Sequence, residues 1–215
     1  MPPAKRLRPV DEARSVRDFW FGQPPLSASA LNSRIRFWFG DQATAMRQWR
    51  DEQIRIRFGR LFERAVSGQL AGWADGPRRR LSLIILLDQF PRNLFRGAAR
   101  AFATDPQALG LTLSGMQSAA DAALDVAERI FFYMPLQHAE SREVQDESVA
   151  AYRRLLSEAP AELRGPFTGV LRSAENHRAI IERFGRFPYR NRVLGRESTS
   201  VELKWLHKGG EKFGQ

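Results

Sequence analysis

The chain has 215 residues, of which 43% are hydrophobic and 27% charged, as is ordinary for one large globular domain or two small ones. It contains no cysteine, so disulfide scaffolds, zinc fingers, iron–sulfur sites and thiol nucleophiles are excluded. The formal net charge is +10, from 34 basic and 24 acidic residues, so a polyanionic partner has to be considered.

The charge pattern argues against that partner. The basic residues are spread along the whole chain and mixed with acids, and no helix-turn-helix, RNP or zinc-knuckle pattern is visible. We therefore expect a solvated, arginine-rich surface and no nucleic-acid site. The longest apolar run, Leu83–Leu87, is far short of the roughly 20 residues of a membrane span, and residues 1–12 lack the apolar region of a signal peptide. We expect a cytoplasmic protein without a membrane partner, and the oligomeric state stays open.

The first predicted elements are a flexible basic tail over residues 1–12 and a helix capped by Asp11 and ended by Gly22. A long helix follows over residues 43–67, where apolar residues recur every three or four positions. Pro77 opens the next helix, and its stretch over 81–90 is apolar almost all round. This stretch is predicted to be the buried central helix, ended by Pro91 because proline cannot donate a backbone hydrogen bond.

The second half of the chain also reads as helices. Thr104 is predicted to cap a helix, a second helix spans 119–134 and is ended by Pro135, and others span 140–158 and 166–184. Thr199 and Glu202 have capping-box spacing and start the last helix. Strand alternation is nearly absent. The prediction is therefore a single all-α domain over 13–208 with seven to nine antiparallel helices, followed by a C-terminal tail over 209–215.

The internal repeats are irregular. Phe-Trp-Phe-Gly occurs at 19–22 and 37–40, and Arg-Phe-Gly-Arg occurs at 57–60 and 183–186. These separations share no fixed period, whereas a regular solenoid would show one. Irregular helix pairs remain the expectation.

Two segments place arginine and asparagine after a helix-breaking proline. One reading is that these side chains cap the preceding helix and pin its loop, and the other is that they form two facing clamps for a carboxylate or phosphate group. The candidate ligand-binding residues are Gln89, Arg92, Asn93 and Arg96 in the first segment and Arg186, Arg190 and Asn191 in the second.

Acidic residues and histidines give a second set of candidates. Asp88 follows an aliphatic run and precedes Arg92 by four positions, so it is either a structural ion-pair partner or a general base. His138 lies between an aromatic helix end and Glu140, where it could be a general base oriented by a carboxylate or a helix cap. The candidate catalytic residues are Asp88, Glu128, His138, Glu140 and His177.

Known motifs for metals, nucleophiles and phosphates do not match. There is no His-Glu-x-x-His, Gly-x-Ser-x-Gly or glycine-rich phosphate loop, so no metal is predicted and the cofactor stays unknown. A metal site assembled from distant positions stays open, with Glu128, His138, Glu140 and His177 as its donors.

Over about residues 16–206 the chain resembles the bacterial family known as domain of unknown function 924. The resemblance rests on 18–22, 86–97, 101–105, 128–136, His138, Glu140, Gln145, His177, 183–191 and 194–199. It implies a tetratricopeptide-like helical fold and no established activity. Ala139 stands where the resemblance leads us to expect a small hydroxyl residue, and Tyr189 where it leads us to expect histidine.

Two functions follow as hypotheses, and whether the protein is an enzyme stays open. In the first, an arginine-rich pocket binds a small anionic ligand and the carboxylates and histidines transfer protons. In the second, a tetratricopeptide-like interaction module binds an acidic peptide in a groove with Trp20 or Trp38 exposed. A third interpretation is that the arginine–asparagine segments only lock the helices. The sequence favours the pocket.

Overall fold

The structure, a computed structural model, describes residues 11–22, 28–39 and 44–210. These ranges contain eleven α-helices, nine of them at least seven residues long, and no β-strand. The predicted all-α class is confirmed, while the tetratricopeptide-like arrangement stays a prediction. The predicted tails over 1–12 and 209–215 lie outside the described residues except for two residues each. No helix in the described ranges is long and apolar enough to cross a bilayer.

The helices are α1 (Glu12–Phe21), α2 (Ala28–Phe39), α3 (Thr44–Val66), α4 (Pro77–Ile84), α5 (Phe90–Leu94), α6 (Asp105–Gln117), α7 (Val126–Phe132), α8 (Met134–His138), α9 (Arg142–Glu158), α10 (Arg164–Phe184) and α11 (Ser200–His207).

The two Phe-Trp-Phe copies lie on α1 and α2 and join one aromatic cluster. The indole N–H of Trp38 donates to the carbonyl of Trp20 at 2.9 Å, and both indoles meet the ring of Phe131 edge to face. Asp11 caps α1 by accepting from the backbone N–H of Arg14, as predicted. Gly22 ends the helix at φ +80°, a conformation that side chains other than glycine rarely adopt.

The central helix is buried over the whole of 81–90, as predicted, but Pro91 does not end it. Residues Ile85–Gln89 form a π-helical turn, and the N–H of Phe90 donates to the carbonyl of Ile85. Pro91 therefore falls in the first turn of α5, where its missing N–H is tolerated. The carbonyl of Leu87, which an N–H at position 91 would otherwise serve, accepts from the hydroxyl of Thr104 instead.

Other predicted boundaries also shift for local reasons. Thr104 stands at the start of α6 but does not cap it, because its hydroxyl is bonded to Leu87. The predicted helix over 119–134 is broken at Ala119, which has φ +54°, and α7 begins only after a capping box formed by Asp125 and Glu128. Pro135 opens α8 rather than ending α7.

Helices α9 and α10 pack as an antiparallel pair, joined by a short connection. Their cross-links show the direction, since partners on α10 come earlier as residues on α9 come later. Arg142 donates to the carbonyl of Glu182, and Arg153 pairs with Glu175 at 3.1 Å. This pair carries one wall of the cavity described next.

Candidate functional site

A cavity of about 680 Å³ lies between α2, α3, the π-helical turn with α5, α8 and α10. This volume is within the usual range of small-molecule sites. Six of the predicted site residues line it, although they come from three separate parts of the chain. They are Gln89, Arg92, Asn93, Arg96, His138 and His177.

Asp88 lies directly behind the cavity wall and is completely buried. Its Oδ1 is 2.6 Å from Nδ1 of His138, and its Oδ2 accepts from the amide of Gln89 at 2.6 Å. Because a carboxylate only accepts, Nδ1 of His138 carries a proton. In the neutral imidazole Nε2 is then the unprotonated nitrogen, so Asp88 fixes the tautomer of His138.

The electrostatics of this pair keep Asp88 charged and His138 neutral. Burial by itself raises the pKa of Asp88, but the charges of His138 and Arg92 and the hydrogen bonds to the carboxylate lower it to about 2. Burial and the charge of Arg92 lower the pKa of His138, against the opposing effect of Asp88. At neutral pH the site therefore presents an aspartate and a neutral imidazole.

His177 is a second neutral imidazole beside the first. Its Nδ1 donates to the carbonyl of Ser173 at 2.8 Å, and its ring centroid lies 6.0 Å from that of His138. Burial, followed by the charge of His138, lowers the pKa of His177 to about 3. At His138 the charge and hydrogen bond of Asp88 oppose the effect of burial, and His177, with its lower pKa, is the weaker base.

Asp105 connects the two arginine–asparagine segments. It accepts two hydrogen bonds from the guanidinium of Arg92, at 2.8 and 2.9 Å, and a longer one from Arg190 at 3.3 Å. Arg190 also donates to the carbonyl of His138 at 3.1 Å and lies over the ring of Phe102. Arg190 thus supports the cavity wall from behind.

Helix α3 adds cations that sequence reasoning missed. Arg47 and Arg50 both line the cavity. Arg50 is buried, and its Nε donates to the side-chain oxygen of Asn93 at 3.0 Å. Burial, with the nearby charges of Arg96 and Arg47, lowers the pKa of Arg50 to about 10 although Asp51 opposes this. These residues lie inside a long amphipathic helix, where nothing local distinguishes them from solvated arginines.

Three further residues of the site also escaped prediction. Asp105 follows the predicted cap residue Thr104 and has no local signal of a site, because its pairing with Arg92 depends on the way α6 packs. Gln137 and Ser173 line the cavity, and the hydroxyl of Ser173 donates to the side-chain oxygen of Gln137 at 3.1 Å. The signal for Gln137 was its place next to His138.

Glu128 and Glu140 do not line the cavity. Glu128 takes part in the capping box of α7 and lies 3.8 Å from Arg78, and burial raises its pKa. Glu140 accepts from the backbone N–H of Phe187 at 2.8 Å and pairs with Arg196 at 2.6 Å. Burial alone would raise the pKa of Glu140, but the hydrogen bonds from Arg196 and Phe187 lower it. Both carboxylates act as structural partners in this structure.

Glu140 belongs to what we call the C-terminal network, which also contains Arg186, Asn191, Arg196 and Glu202. Arg186 donates to both oxygens of Glu202 at 2.7 and 2.9 Å, and Asn191 donates to Ser198 and accepts from Arg196. These bonds attach the last turn and α11 to the body of the protein. Among the described residues, no three histidine or acidic side chains are grouped as a metal site requires, so the assembled metal site that the sequence left open is not formed.

The chain belongs to the family described as bacterial proteins of unknown function, DUF924, whose pattern matches residues 16–210. A solved structure of a protein of unknown function from Agrobacterium tumefaciens is similar, with 35% sequence identity and a TM-score of 0.74. The match covers 92% of this chain and 97% of that one. No curated protein sequence matches this chain.

Proposed function

We propose that the cavity binds a small anionic ligand and that His138 accepts a proton from the ligand or from water held beside it. The proposal rests on one observation, the positive charge of the cavity wall. Four arginines line the cavity, and no aspartate or glutamate does so among the described residues. Asp51, Asp88 and Asp105 lie behind the arginines. Guanidinium groups bind carboxylate and phosphate well because their donors match the spacing of the oxygens.

The arginines have different parts in this proposal. Three of the five N–H donors of Arg92 are bonded to Asp105 and to the carbonyl of Asp88, so Arg92 fixes the wall and helps to keep Asp88 charged. Arg96 is more exposed and pairs with Asp51 only at 3.4–3.5 Å, a longer contact than that between Arg92 and Asp105. Arg96 and the exposed Arg47 are therefore the cations to which we assign ligand contact.

The proton-transfer part rests on the Asp88–His138 pair. An imidazole whose Nδ1–H is held by a buried carboxylate can take a proton on Nε2, and the carboxylate then stabilises the imidazolium. The protein offers no cysteine for this base to activate, and the hydroxyl of Ser173 donates to Gln137 rather than to a histidine. The transferred proton would therefore come from the ligand or from water.

The alternative, an interaction module with an exposed tryptophan groove, has less support. Trp20 is 1% exposed and Trp38 is 6% exposed, and both are packed in the aromatic cluster. A cytoplasmic location and the absence of nucleic-acid and membrane partners remain expectations from the sequence.

The test is a calorimetric titration of the purified protein with inorganic phosphate. We expect Arg96→Ala to weaken phosphate binding by about tenfold, because one charged hydrogen-bonding partner is lost. Native mass spectrometry of the freshly purified protein adds a second readout, since a copurified occupant appears as extra mass. Phosphate affinity that is unchanged in Arg96→Ala would contradict the proposal.

A matched pair of glycine variants locates the binding event. Gly169 lies on α10 at the exposed edge of the cavity, and an added Cβ there meets no atom within 4 Å. Gly110 lies in an equally open position on α6 and does not line the cavity. We expect Gly169→Leu to reduce phosphate binding and Gly110→Leu to leave it unchanged. Both replacements suit a helix, so loss of fold is not the expected cause.

A further inference from the structure

The two sides of the cavity differ sharply in chemistry. Six lining residues come from α3 and from the segment that runs from the π-helical turn through α5 to Arg96. All six are polar, and four of them are arginines. Every lining residue from α2 is apolar, namely Ile35, Trp38 and Phe39. Helix α10 adds the apolar Pro166 and Val170 towards its start, followed by the polar Ser173 and His177. The lining is thus polar on α3 and α5 and apolar on α2, while α8 and α10 contribute both kinds of side chain.

The mouth of the cavity shows the same division. Phe39 is 50% exposed and stacks on Phe131 with a centroid distance of 5.8 Å, while Arg47 is the exposed cation. Deeper in the wall, Trp38 and Val170 are buried on the apolar side and Arg50 is buried on the polar side. A molecule that contacts both α2 and the arginines therefore meets apolar side chains on α2 and cations on α3 and beside α5.

We infer that the ligand class is an amphipathic oxyanion, with a phosphate or carboxylate head at Arg47 and Arg96 and an aromatic or alkyl body against α2 and α10. This inference rests on the proposed function. The proposed function assigns the anionic group of the ligand, and the inference assigns the rest of the same molecule. A bare inorganic ion would leave the apolar side chains of α2 in contact with water. A sugar phosphate would place hydroxyl groups against α2, which offers them no polar side chain among its described lining residues.

The experiment compares heads with and without an apolar body in calorimetric titrations of the intact protein. The probes are phenyl phosphate against inorganic phosphate, 3-phenylpropionate against acetate, and glucose 6-phosphate as a polar-bodied control. We expect the phenyl group to tighten binding by about tenfold or more, as burial of an aromatic ring provides. Glucose should give no such gain. The tighter of the two phenyl probes identifies the head.

Two variants test which wall receives the body. Phe39→Ala removes apolar surface at the mouth and should reduce the phenyl gain several-fold while leaving inorganic phosphate binding unchanged. Ile56→Ala is the control, since Ile56 is 68% exposed on α3 and does not line the cavity. An equal effect of the two variants would overturn the inference.

The outcomes separate this inference from the proposed function. If both phosphate probes bind equally tightly and Arg96→Ala weakens both, the assignment of an apolar body is wrong and the anion site stands. If no probe binds, or if Arg96→Ala changes none of the affinities, the proposed function fails and the ligand class fails with it.

Discussion

Residues 89–93 and 187–191 share a local pattern, a proline followed by arginine and asparagine, but they do different work in the structure. In the first segment Gln89, Arg92 and Asn93 line a cavity. In the second, Arg190 supports the wall from behind and Asn191 bonds to residues of the C-terminal network. In the first segment Arg92 and Asn93 donate to the carbonyls of Asp88 and Gln89, whereas in the second Arg190 and Asn191 donate to residues outside the segment. The pattern alone therefore does not indicate a ligand.

The difference comes from what lies opposite each segment. Helix α3 brings Arg50 into hydrogen-bond contact with Asn93 of the first segment, and Arg47 lines the same cavity as that segment. Residues 196–198 bond directly to the second segment: Arg196 donates to Asn191 and to the carbonyl of Phe187, and Ser198 accepts from Asn191. The first segment thus presents Gln89, Arg92 and Asn93 to a space that a ligand can occupy, whereas the second presents Tyr189 to that space and places its arginine and asparagine among protein partners.

The largest expected effect is on stability, and it comes from comparing Asp88, behind the cavity wall, with Glu202 in the C-terminal network. Asp88→Asn should lower the free energy of unfolding by about 3–5 kcal/mol, because it replaces a completely buried carboxylate that is bonded to His138 and Gln89 and pairs with Arg92. Glu202→Gln should lower the free energy of unfolding by roughly 1 kcal/mol, because its partner Arg186 is 29% exposed and water can solvate the guanidinium that loses its countercharge. Urea denaturation of the two variants measures both. Equal losses would mean that the networks do not differ in burial as the structure implies.

Lowering the pH should destabilise the protein through His177 before it affects the acids of the C-terminal network. Its pKa is about 3 in the folded protein and near 6.5 when unfolded, so the unfolded chain binds more protons between these values and stability falls as pH falls. Between pH 7.5 and 5.5 this should cost the wild type about 1 kcal/mol that His177→Phe does not lose. The lowered pKa values of Glu140 and Glu202 act only below about pH 4.5.

The readout for this prediction is the difference in urea midpoint between the two pH values. The variant keeps a ring against Phe187, whose centroid lies 5.6 Å from that of His177, so its fold should survive. Parallel pH profiles for the wild type and His177→Phe would show that His177 is not the buried neutral base described here.

The smallest expected effect concerns the exposed cation at the mouth. Arg47→Ala should weaken phosphate binding about two- to threefold, and more at low ionic strength, since exposed charges are screened by salt. Arg60→Ala is the matched control, because Arg60 is an exposed arginine on the same helix that does not line the cavity. Calorimetry at two salt concentrations measures this. An identical loss of phosphate affinity in both variants would mean that Arg47 acts only through the net charge of the protein and not by contact with the ligand.

The structure also changes which variant tests the first segment. Arg92 is the obvious target from the sequence, but it is buried and bonded to Asp105 and Asp88. Its removal would leave Asp105 without its main partner and Asp88 without a nearby countercharge, and would lower stability by several kcal/mol. Arg96 is the cleaner choice because it is more exposed and its ion pair is longer.

The sequence by itself determined the helices, because apolar periodicity and capping residues act within a few positions. Asp11, Gly22 and the Thr199–Glu202 box lie where local rules place them. It also brought out Asp88, His138 and Arg92, since charged or titratable residues next to apolar runs are unusual. Where local rules failed, as at Pro91, a distant hydroxyl from Thr104 had changed the local hydrogen bonding.

Only the tertiary structure decided which polar residues share a space. Asp88 and His138 are 50 positions apart, and Arg190 and Asp105 are 85 apart, so no local spacing could pair them. Glu128 and Glu140 have equally suggestive neighbours in the sequence but bind a helix N-terminus and a backbone N–H. Whether a buried charge faces an empty volume or a partner depends on the way the helices pack, which is a long-range property of the whole chain.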